Sequence, residues 1–128
     1  MSRMIIEGVV NTDLALAGTN AGIRLLLSVT DADGKSYTGL QPQNFGIQLM
    51  DALSRGIDSR IFQFDEENKE GDLFREHVPG IYLLTVINTS NQWFQITYTL
   101  IVKVQEQPVG APRNHGQTLF QFSIPRTF

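Results

Sequence analysis

Between residues 93 and 105, apolar and polar side chains alternate with a period of two. Phe94, Ile96, Tyr98, Leu100, Val102 and Val104 share one face, Gln95, Thr97, Thr99, Lys103 and Gln105 the other, and Ile101 alone breaks the polar side. A β-strand sends successive side chains to opposite faces of its sheet, whereas a helix would scatter these residues around its circumference. The segment therefore predicts a strand with one buried and one wetted face. Residues 23–30 repeat the pattern through Ile23, Leu25, Leu27 and Val29, and residues 45–49 through Phe45, Ile47 and Leu49. Residues 80–87 are apolar on both faces, as in a strand at the centre of a sandwich. Near the end, within 118–124, Phe120, Phe122 and Ile124 align, and residues 4–10 and 59–64 read as shorter strands. Together these elements predict an all-β chain, an antiparallel β-sandwich of seven or eight strands.

Turn chemistry falls between the strands. Asp33-Gly34 follows the second strand, Pro79-Gly80 precedes the central one, and a polar turn over 88–92 leads into the longest. Little helix is expected: one turn over 51–57, and a short helix or irregular crossover over 65–78. Residues 107–116 hold two prolines and two glycines and read as a linker before the terminal strand. That strand either folds back onto its own sheet or pairs with another chain. With 128 residues, no internal repeat and no second compositional zone, one domain over 1–128 accounts for the whole.

Composition narrows the function classes. The absence of cysteine removes disulfides, thiolate metal sites and cysteine nucleophiles. A net charge of −3, from 10 basic and 13 acidic residues, lacks the concentrated basic patch that nucleic acid or an anionic membrane requires. The densest charge run, residues 65–72, is mostly acidic and reads as a solvated loop. No apolar run approaches the length of a membrane helix, and the first ten residues do not have the form of a signal peptide. The expectation is a chain without membrane insertion that acts in the cytoplasm, is exported without a leader, or is a domain of a larger surface protein.

Two stretches together carry a resemblance. Val29-Thr30-Asp31-Ala32-Asp33-Gly34-Lys35-Ser36-Tyr37-Thr38-Gly39-Leu40, followed by Asn44-Phe45, resembles the VTDxxGxxVxGL…NF signature of bacterial immunoglobulin-like domains of the invasin type. Phe74-Arg75-Glu76 with Pro79-Gly80-Ile81-Tyr82-Leu83-Leu84-Thr85-Val86 resembles their FxE…PGxYxLxV segment. The resemblance spans residues 23–105 at the level of pattern. It implies an immunoglobulin-like sandwich, with the Tyr82 ring packed near its edge. It also implies a role among the spacers, adhesion modules and binding modules of cell-surface proteins.

Candidate chemistry is sparse. Asp31 and Asp33, with the acids of 65–72, offer oxygen donors for calcium at a sandwich loop, but the remaining ligand positions of an EF-hand are missing; the plainer reading is a hairpin turn. The two histidines, His77 and His115, lack metal-ligand spacing, and read as a strand-edge residue and a linker residue. No GxSxG occurs, and Asn88-Thr89-Ser90 matches the glycosylation pattern by chance. Trp93 and Tyr37 sit beside turns, where an aromatic ring either stacks on a sugar or protein partner or plugs the end of the core. The expectation is a non-enzymatic interaction or assembly module without metal or cofactor, binding a protein partner or itself. Its candidate surfaces are the 31–40 hairpin, the 65–72 loop and the terminal strand; Tyr37, Trp93, Asp31 and Asp33 are the candidate binding residues. The alternative is a carbohydrate-binding or adhesion module in which Trp93 and Tyr37 form the platform.

Overall fold

In the computed structural model, which describes residues 3–17, 20–61, 74–89, 93–106 and 115–124, the alternating segments form strands paired antiparallel in two sheets. In chain order the strands are β1 (Ile5–Ala17), β2 (Asn20–Thr30), β3 (Phe45–Met50), β4 (Gly56–Ile57), β5 (Ser59–Ile61), β6 (Arg75–Val78), β7 (Ile81–Asn88), β8 (Thr97–Gln105) and β9 (His115–Ser123). One sheet runs β1-β2-β7-β5, with β6 continuing the β5 side of β7; the other runs β4-β3-β8-β9.

Register makes the two sheets amphipathic. Ile23, Leu25 and Leu27 of β2 lie opposite Val86, Leu84 and Tyr82 of β7, while Phe45, Ile47 and Leu49 of β3 lie opposite Val104, Val102 and Leu100 of β8. Each matched row points one way, so every period-two face meets another. All but Ile47, which is partly buried against it, join Met4, Ile6, Ile61, Tyr98 and Phe122 in one buried cluster. Each such side chain, fully buried, contributes about 1.5–3 kcal/mol through apolar surface removed from water. The N-terminal residues add a contact between the sheets: the Met4 N–H donates to the His115 carbonyl at 2.9 Å. A Cβ on Gly116 would collide with the Met4 carbonyl, so the close approach requires glycine there.

Four expectations change. The long strand begins at Thr97, not at residue 93, and residues 93–96 form a turn. His115 and Gly116 open β9 instead of closing a linker; residues 107–114 lie outside the described residues. Residues 75–78 of the expected helix or crossover are a strand, β6, and β4 occupies the end of the expected turn at 51–57. The described residues thus hold nine strand segments, because β4 and β6 are too short to show a periodicity.

Candidate functional site

Both aspartate-led turns use the same chemistry. In 31–35, the Asp31 carboxylate oxygen Oδ1 accepts the N–H groups of Asp33 and Lys35, both at 2.9 Å. The Asp31 N–H donates to the Lys35 carbonyl at 2.9 Å. In 51–55, Asp51 Oδ1 accepts from Leu53 and Arg55 at 2.9 and 3.0 Å, and the Asp51 N–H donates to the Arg55 carbonyl at 3.0 Å. The fourth residue of each turn has positive φ, Gly34 at 83° and Ser54 at 60°. This is a three-residue hairpin loop whose last member is left-handed, braced by its leading aspartate. The bond from the Arg55 backbone N–H is the main cause that holds the Asp51 carboxyl below its ordinary range. Asp31 therefore spends its carboxylate on the turn while Asp33 is exposed, and among the described residues no three His, Asp or Glu side chains converge as metal ligands would. The acids of 65–72 lie outside the described residues.

The signature stretches at 29–45 and 74–86 meet at one end of the sandwich. Phe45, Phe74 and Tyr82 form a triangle of rings, Phe45 lying 5.3 Å from Phe74 and 5.4 Å from Tyr82, which are themselves 6.0 Å apart. The buried Tyr82 hydroxyl donates to the Tyr37 carbonyl at 2.6 Å and accepts the Leu40 N–H at 3.2 Å. Glu76 spans the loop and the β6–β7 turn, Oε1 accepting the Gly39 N–H at 3.1 Å and Oε2 the Gly80 N–H at 2.9 Å. The residues that carry the resemblance are thus a clamp tying the 36–45 crossover to the turn before β7. Tyr37 belongs to it through its carbonyl and is half-buried against the core.

The clamp has a pH signature. Its bonds, that from Gly80 foremost, hold the Glu76 carboxyl below 4.5, its ordinary value. A carboxyl lowered in the folded state adds stability that is complete above its unfolded pKa and is lost as pH falls through the folded one. Glu76→Gln is therefore expected to lower stability at pH 7 and to flatten the loss between about pH 5 and about pH 3; urea midpoints at the two ends check this. Equal slopes for variant and native chain would mean that the carboxylate is not engaged. Tyr82 has the opposite sign: burial, followed by the nearby Glu76 charge among the raising causes, pushes its hydroxyl above 10, so its contribution persists below that pH and is lost above it.

At the opposite end, Trp93 is 1% exposed and meets Tyr98 edge-on, centroids 5.3 Å apart at 71°, while Tyr98 stacks on Phe122 at 5.7 Å. The Tyr98 hydroxyl accepts the Phe94 N–H at 2.8 Å, and the Ile96 N–H donates back to the Phe94 carbonyl at 2.9 Å. Trp93 is thus the plug of the core's end, one of its two expected readings, while Phe94, expected on the buried face, is turned out by this tight turn, 54% exposed. Phe94 borders a groove of about 360 Å³ with Asp51, Arg55, Ile57, Asn88, Ile96 and Tyr98.

The outer face of the first sheet is not polar. Val9, Leu26 and Leu83 lie in one cross-strand row that ends on Arg75, and Ser28, Ile81 and Val78 in the next, which begins on Glu7. Val9 is 63% exposed, and Ile5, Leu26 and Val78 are exposed as well. Grooves of about 340 and 240 Å³ flank the Val9–Leu26 ridge, with Glu7, Ser28, Asn11 and Arg24 among their lining residues. None of the four residues singled out from the sequence belongs to this surface. Its sequence signals are Leu26, an apolar residue on the otherwise polar side of β2, and the second apolar face of residues 80–87, which supplies Ile81 and Leu83. Comparisons of the chain with protein-family models, curated proteins and solved structures give no significant match.

Proposed function

We propose that the chain is a non-enzymatic protein-interaction module on an immunoglobulin-like sandwich. The immunoglobulin-like reading is supported by connectivity: β1-β2-β7-β5/β6 over β4-β3-β8-β9 parallels the A-B-E-D and C′-C-F-G strand orders of that fold. It is further supported by the Tyr98 hydroxyl bonded to backbone four residues upstream, near the start of β8, the place of the tyrosine corner. Membership among bacterial immunoglobulin-like domains rests on the signature residues and their convergence in the Glu76–Tyr82 clamp. Asp31, Asp51 and Glu76 all bond backbone donors, which accounts for these carboxylates without chemistry on a substrate.

A fold does not assign a role; the observation that carries the interaction reading is the outer face of β1, β2 and β7. A sheet face meant for water alternates to polar residues, whereas this one has an apolar centre with a polar rim, the anatomy of a docking surface. The double variant Val9→Arg/Leu26→Arg changes two exposed positions and is expected to fold as the native chain does. Immobilised native chain is expected to retain a protein from its source cells that the variant does not. Identical retention by both, or none by the native chain, would refute the reading.

A second reading, carbohydrate binding, is favoured by one observation: exposed Phe94 beside Asp51, Arg55 and Asn88 combines a stacking ring with polar groups. Phe94→Ala would then abolish binding on a glycan array while leaving capture by the outer face intact.

A further inference from the structure

The four sheet edges are not equally protected. β4 is two residues long, β5 and β6 form a broken edge, and β1 carries Glu7 and a register shift between Asn11 and Ala15. Short strands, interruptions, charges and bulges are the devices by which proteins keep edges from pairing. β9 has none of them. It runs nine residues in unbroken register with β8, contains neither proline nor lysine, and shows His115, Gln117, Leu119, Gln121 and Ser123 on its outer face. Among the described residues, the Arg3–Met4 stretch pairs with its first residue and lies against Gly116, and β1 passes close by, but no strand is paired with Gln117 to Ser123 on that side.

We infer that β9 pairs antiparallel with β9 of a second copy, about a twofold axis at Leu119, joining two four-stranded sheets into one of eight strands. Backbone direction fixes the register. The His115 carbonyl points away from β8, to the Met4 N–H. In an antiparallel ladder this orientation alternates, so the N–H and C=O groups of Gln117, Leu119 and Gln121 also point to the open edge. A twofold axis at Leu119 sets Gln117 against Gln121 and Leu119 against itself, each facing pair exchanging both of its backbone bonds. The outer sequence Gln-x-Leu-x-Gln reads the same in both directions. Self-pairing therefore aligns amide with amide and covers Leu119, 53% exposed in the single chain, with its own copy. No charge meets a like charge. That symmetry selects a second copy over an unrelated peptide as the occupant.

The inference deepens the interaction reading but uses a different surface, so each fails separately: capture by the outer face does not involve Leu119, and β9 pairing does not involve Val9 or Leu26. Light scattering coupled to size exclusion, on the intact chain from about 1 μM to about 1 mM, is expected to show mass rising toward twice 14.3 kDa. Leu119→Lys and Leu119→Glu, at an exposed position, are each expected to weaken the dimer at least about tenfold. Their equimolar mixture should restore it by pairing opposite charges. Circular dichroism confirms that each variant is folded. A native chain that stays monomeric throughout would overturn the inference. So would a dimer indifferent to both substitutions, which would point to exchange of the terminal strand or to another surface.

Discussion

Trp93→Ala is expected to destabilise the fold by about 3–5 kcal/mol, the cost of removing a large buried aromatic side chain. The indole is enclosed at one end of the sandwich, edge-on to Tyr98, which in turn stacks on Phe122. Truncation removes the ring contacts and leaves a cavity beneath the turn held by the Tyr98 hydroxyl and the Phe94 N–H. Urea unfolding followed by circular dichroism reads the loss directly. A surface ring would change stability by no more than about 0.5 kcal/mol, so a cost that small would return Trp93 to the role of a platform.

The second large effect is expected at Gly80. Its φ of 81° lies in the left-handed region, and a Cβ there would stand 2.8 Å from the Ser36 Cβ. Its N–H is held by Glu76 and its carbonyl accepts the Val29 N–H at 2.9 Å, so the turn cannot swing away without releasing both sheet partners. Gly80→Ala is expected to cost about 2–4 kcal/mol, combining left-handed strain with overpacking. Gly34→Ala separates the two contributions. Gly34 has nearly the same φ, 83°, but nothing within 4 Å of its would-be Cβ, and should lose only about 1–2 kcal/mol. Equal losses at the two glycines would show that Ser36 gives way and that the clamp is not tightly packed.

Strand positions were legible wherever alternation ran long enough. β2, β3 and much of β8 follow from period two alone, because each has to bury one face against its neighbour, and β7 follows from its apolar run on both faces. The failures have physical causes. Alternation carried Phe94 to the buried face because nothing local shows that the Phe94 carbonyl accepts the Ile96 N–H, a turn that shifts the phase by the time the chain reaches Trp93. β6 was lost because four residues, all exposed, carry no pattern. Glu76 stood inside a recognised motif, yet its work is to join Gly39 and Gly80, the first of these 37 residues away, and one sequence shows spacing, not long-range pairing. The outer apolar face was equally hidden, since Val9, Leu26, Leu83 and Val78 become neighbours only through the β1–β2, β2–β7 and β6–β7 registers.

That face is the functional claim, and side-chain footprinting by hydroxyl radicals tests it most directly. The chain is oxidised alone and in complex with the protein it captures, and labelling is read by mass spectrometry at Val9, Leu26, Val78 and Phe94. The account predicts that the complex shields Val9, Leu26 and Val78 and leaves Phe94 as reactive as in the free chain. Shielding at Phe94, with Val9 and Leu26 still oxidised at their free rates, would contradict it and move the binding surface to the groove beside Asp51 and Arg55.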